Sequence, residues 1–171
     1  GIRFDRPVYP RCLECHGSFF ESLTPPPNRF NRSSVVLGIT CEKCHGPGRE
    51  HVALHSSQNP PHKSAKERSA KEGTGKDGSA KDGSAKAILN PASFPRSRQI
   101  DACALCHAGL GKPLAPALSF VPGAALDKYL QIPEMDPSLA LDVHGNQVQL
   151  LKRSRGFQPS SMTCPTCHNV H

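Results

Sequence analysis

The sequence predicts a mostly irregular fold with short α-helices, completed by something other than its own side chains. Three observations lead there. Hydrophobic residues make up 36% of the 171 residues and aromatics 5%, with no tryptophan, whereas ordinary soluble domains run at about 45–50% apolar. Fourteen glycines and 17 prolines break up any long periodic segment. Eight cysteines stand in four identically spaced pairs. Side-chain burial alone does not offset the conformational entropy of folding such a chain. Disulfides, metals or a large apolar cofactor must supply the rest of the core. The length fits one domain spanning 1–171.

The pairs are Cys12 with Cys15, Cys41 with Cys44, Cys103 with Cys106, and Cys164 with Cys167. Each is C-x-x-C, and each is followed at once by a histidine: His16, His45, His107 and His168. C-x-x-C-H is the attachment signature of c-type haem. Two thiols three positions apart reach the two vinyl groups on one porphyrin edge, and the next residue sets an imidazole under the iron as proximal ligand. Zinc uses C-x-x-C pairs but has no need of histidine directly after the second cysteine. A disulfide framework does not require histidine at a fixed offset four times. A thioredoxin-like redox pair occurs once, inside an α/β pattern that this sequence lacks. The four motifs therefore predict four haem c groups, with no cysteine left over. The chain is then a wrapping around four stacked haems, whose porphyrin faces make the core.

Five histidines remain: His51, His55, His62, His144 and His171. They suffice to give every iron two imidazoles, an arrangement that favours electron transfer over chemistry at an open iron. His51 follows the Gly46-Pro47-Gly48 turn, which sends it away from its own motif's haem. His55 lies at i+4 on the same helical face. His144 sits in a turn-like stretch, Asp142 to Asn146. His171 is three residues beyond His168, too close to serve the opposite face of the same porphyrin, so it serves another haem or none. The predicted distal set is His51, His55, His144 and His171, with His62 in reserve for His55. No C-x-x-C-K variant, the mark of a catalytic haem of the nitrite-reductase kind, is present.

Along the chain, short helices are expected to begin at each motif. Pro25-Pro26-Pro27 predicts a stiff extended spacer between the first two. The run Val35 to Ile39 reads as a strand or as packing against a haem face. Residues 56–86 form a low-complexity insertion rich in Lys, Gly and Ser. Its lysines recur every five residues from Lys66 to Lys86, a period of neither helix nor strand. Asn90 to Pro95 reads as loop. Gly123 to Leu130 and Val148 to Leu151 are the remaining helix candidates.

The net charge of +7 invites a nucleic-acid reading. Four haems would carry about eight propionate charges and return about one positive charge per ferric centre, leaving about +3 oxidised and about −1 reduced. No basic patch is interleaved with aromatics for base stacking, so nucleic acid is not an expected partner. No run of 18 apolar residues exists, so no membrane-spanning helix is expected. The chain starts at Gly1 without a signal peptide, and the expectation is that any export signal has been removed.

The runs GITCEKCHGPGREH, NPASFPRSRQIDACALCH and SMTCPTCHNVH resemble the multihaem cytochromes related to the tetrahaem acceptor of hydroxylamine oxidoreductase. The resemblance covers most of the chain outside 56–86. It implies that the histidine of the GPG-x-x-H run, His51, is a distal ligand, and that one haem in some members is five-coordinate. It also implies that the chain is processed or trimmed, since many members extend further. In size and motif number the chain is similar as well to subunits of extracellular cytochrome filaments. There haems stack continuously, and a distal ligand can come from the next subunit. Motifs near both ends fit that likeness. The expected activity is electron transfer, not catalysis, in the periplasm or outside the cell. Redox proteins or extracellular acceptors are the expected partners, with self-association into a homopolymer. A soluble periplasmic shuttle and a haem enzyme acting on small nitrogen or sulfur species are the alternatives.

Overall fold

A computed structural model describes residues 6–58, 88–134, 138 and 143–171. The chain is built of short helices and little sheet, as its composition predicts. Helix α1 (Pro10–His16) opens with a proline at its first position, where a missing N–H costs nothing. It ends on the first motif, so here the motif closes a helix instead of starting one. Strands β1 (Gly17–Ser22) and β2 (Phe30–Leu37) follow as an antiparallel hairpin in irregular register. The Val35–Ile39 run thus contributes to a strand. The three prolines lie in the reversal between the strands, where Leu23 N–H donates to Arg29 O at 2.8 Å. They turn the chain and do not extend it.

Helix α2 (Cys41–His45) is the second motif itself, and α3 (Arg49–Gln58) restarts beyond the Gly46-Pro47-Gly48 turn. Glu42 Oε1 accepts from Gly48 N–H at 2.8 Å and ties the turn back to α2. The insertion's lysines and His62 lie outside the described residues. Asn90 caps a single 3-10 turn, Pro91–Ser93, accepting from Ala92 N–H at 3.1 Å. Helix α4 (Arg96–His107), the longest described, ends on the third motif. Strands β3 (Lys112–Pro113) and β4 (Leu130–Gln131) form a two-residue antiparallel pair. The stretch Gly123 to Leu130 shortens to one 3-10 turn, Leu126–Lys128, before the chain enters β4. Helix α5 (Gln147–Arg153) covers the Val148–Leu151 candidate. The fourth motif forms a 3-10 turn, Cys164–Thr166, with reciprocal capping by Thr163 and Thr166.

The core is small and one-sided. Ile100, Ala104, Leu105 and Ala108 pack with Leu126, Leu130, Val148 and Phe157. Among the described residues before α4, the buried hydrophobic is Phe20, which meets the edge of Phe30 at 5.7 Å between centroids. Leu37, Ile39, Val52 and Leu54 stay exposed there. No helix among the described residues is long and apolar enough to cross a membrane.

Candidate functional site

The first motif is held by charge. Arg11 and Glu14, one turn apart on α1, are 8% and 6% exposed and pair at 2.8 Å. Arg11 donates from Nη2 to Leu105 O and from Nε to Leu110 O at 2.9 Å. Glu14 Oε1 accepts from Leu118 N–H at 2.8 Å. Leu105 O is one of the last four carbonyls of α4, which lack helical partners, and a cation there suits the helix dipole. The pair thus fastens the first motif's helix to the end of α4, where the third motif sits. Nothing in the sequence pattern marked it: two charges at i, i+3 read as an exposed pair.

The hairpin sets the second motif. Ser18 Oγ donates to Gly38 O at 2.8 Å and accepts from Thr40 N–H at 2.7 Å, so β1 fixes the entry to α2. His45 and Leu89 then bond both ways: Leu89 N–H donates to His45 O at 3.0 Å, and His45 Nδ1 lies 2.8 Å from Leu89 O. A carbonyl only accepts, so Nδ1 carries the proton and Nε2 is left as a lone-pair donor. Opposite it stands His171 Nε2, at 3.4 Å.

The fourth motif is approached through Arg96. That side chain donates to Met162 O at 2.9 Å and Phe157 O at 2.7 Å, and lies 3.9 Å over the Phe157 ring. Cys164 is half-buried, while Cys167 and His168 are exposed.

Three of the motifs meet at α4, where Cys106 lies beside Cys15 of the first motif and Cys103 beside Cys164 of the fourth. The hydrogen bond from Cys106 draws the Cys15 thiol down to about 7, against the opposing effect of burial and with help from the Arg11 charge. The bond from Cys103 draws Cys164 down to about 7 likewise. The donors Cys103 and Cys106 are pushed far up, first by giving these bonds and then by burial. Burial raises Cys44. Lys43 acts on Cys15 and Cys106, and Cys44 on Cys103, so the second motif lies within electrostatic reach of the first and third.

Of the predicted distal residues, His51 and His55 lie side by side on α3, with ring centroids 4.5 Å apart. His51 Nδ1 is buried without a hydrogen-bond partner. His144 is exposed, its carbonyl accepting from Gln147 at 3.0 Å. His16 and His107 are exposed at the ends of α1 and α4.

These donors suit haem. Among the described residues no group of three or more His, Cys, Asp or Glu side chains is gathered to hold a bare ion. Haem iron asks the protein for two axial donors only, and the cysteines anchor the ring. Apolar surface is left open beside the motifs: Leu37 is 75% exposed, Leu110 72% and Val170 62%.

Residues 4–46 match the family described as cytochrome c554 and c-prime. The match takes in the first two motifs and about a quarter of the chain. No curated protein and no solved structure matches. The family likeness supports a c-type cytochrome, with haem c as cofactor and electron transfer as activity.

Proposed function

We propose that this chain is a tetrahaem electron carrier. The observation that carries it is four C-x-x-C-H motifs that use all eight cysteines, three of the motifs meeting at α4. Cys12, Cys15, Cys41, Cys44, Cys103, Cys106, Cys164 and Cys167 anchor the rings. His16, His45, His107 and His168 ligate proximally, and His51, His55, His144 and His171 distally. Haem c, when bound, supplies a one-electron couple.

The chain's own work is to hold ligands and tune them. The Leu89 carbonyl fixes the His45 tautomer and ring plane, and such a hydrogen bond raises the basicity of the ligating nitrogen. The buried Arg11–Glu14 pair keeps the first and third motifs in contact while adding no net charge between them. The proposed location is the periplasm or outside the cell, where c-type haem is attached, and the proposed partners are other redox proteins or extracellular acceptors. A filament subunit is the finer reading, carried by the likeness in size and motif number to subunits of extracellular cytochrome filaments.

Haem quantification against protein tests the first claim. Four haems per chain are expected, and two or fewer would refute the tetrahaem reading. Electron microscopy of the native material tests the second: filaments are expected, and discrete particles alone would leave a shuttle.

A further inference from the structure

We propose that His45 and His171 are the two axial ligands of one haem, the one anchored by Cys41 and Cys44. The proposal rests on the haem reading above and adds which distal histidine serves which motif.

Three features of the pair argue for it. The proton of His45 is committed to Leu89 O, so its Nε2 offers a lone pair outward. His171 Nε2 stands against that lone pair at 3.4 Å. The ring centroids are 5.6 Å apart and the planes tilt by 33°. Because the centroids are much farther apart than the nitrogens, the imidazoles meet by their Nε2 edges and do not stack.

First-row transition metals bind imidazole nitrogen at about 2.0–2.1 Å, so two such nitrogens on opposite sides of an ion lie about 4 Å apart. The observed separation falls about 0.6 Å short of that, a distance within the reach of a small turn of an exposed side chain. A direct His–His hydrogen bond is the competing account, and 3.4 Å is long for one. The backbone that delivers His171 is itself ordered. His168 N–H donates to Cys164 O at 3.1 Å, and His171 N–H donates to Asn169 Oδ1 at 3.2 Å. The two histidines of the CHNVH run therefore work at different sites. His168 stays with its own cysteines, and His171 crosses to the second motif. His171 is thereby used within the chain and is not lent to a neighbouring copy.

The test uses the haem-loaded protein, with haem content and low-temperature electron paramagnetic resonance read together. His171→Ala should keep four haems and convert about a quarter of the low-spin signal to high spin. His171→Met should keep six-coordination, with a methionine–iron absorption band replacing the lost imidazole. In the background Cys41→Ser with Cys44→Ser, which removes the second haem, His171→Ala should change nothing further. An unchanged low-spin signal in His171→Ala would overturn the pairing. So would conversion of a haem in the background without the second site. A native chain that carries no haem would instead refute the proposed function, and haem content separates the two failures.

Discussion

Arg11 and Glu14 are the residues whose burial most needs explanation, since each is charged and neither contacts water freely. Removing one partner of a buried pair strands the other, a cost of about 3–5 kcal/mol. Arg11→Met should therefore destabilise the haem-loaded protein by about 3 kcal/mol in urea unfolding, at the low end because Glu14 keeps its bond from Leu118 N–H. Glu14→Gln should cost about 1–2 kcal/mol. The double variant should cost less than the two together, with a coupling of about 1–3 kcal/mol. Additive losses would mean that the pair is incidental. At this scale the four C-x-x-C-H motifs were legible in the sequence, because their spacing is fixed and local. The Arg11 clamp was not, because its partners Leu105, Leu110 and Leu118 are distant in sequence and offer backbone atoms, which no side-chain pattern reveals.

Among the elements, the β3–β4 pair shows how tightly the region after α4 is closed. Gly111 has φ +59°, and a Cβ there would lie 2.8 Å from the Leu130 side chain and 3.0 Å from Gln131 O. Gly38 has φ +78°, yet nothing lies within 4 Å of a Cβ built on it. Gly38→Ala should thus cost about 1–2 kcal/mol from left-handed backbone alone. Gly111→Ala should cost roughly 1–3 kcal/mol more, because Leu130 is a core residue with no room to yield. Thermal unfolding of the two variants side by side checks this, and equal losses would refute it. Helices at the second motif, after Gly48 and near Val148 were readable from turn residues and local periodicity. The departures have physical causes. Pro25 to Pro27 serve the hairpin reversal because Phe20 and Phe30 pack across it. Gly123 to Leu130 stops short of a helix because β4 and Leu114 N–H take up Leu130 and Tyr129 O.

For the whole molecule, the division of the core is the governing fact. One apolar cluster surrounds α4, while the region around the first two motifs is held by the hairpin, a buried ion pair and few apolar contacts. Chains this poor in buried apolar surface need a staple to stay folded. The protein produced with all eight cysteines changed to serine should show no cooperative urea transition across residues 6–58, monitored by proteolysis of that region. A cooperative transition there would show that side chains suffice. The short helices, the scant sheet and the small side-chain core were legible from composition. The mutual placement of the motifs was not, since it depends on contacts between segments tens of residues apart.

Helix α4 carries a last consequence. Cys103 and Cys106 sit one turn apart on it, with Cys103 beside Cys164 of the fourth motif and Cys106 beside Cys15 of the first. Under the proposed electron-transfer reading, a distortion of this one helix would displace the attachment points of three haems at once, so the element at the heart of the packing is also the place where the carrier is most easily uncoupled.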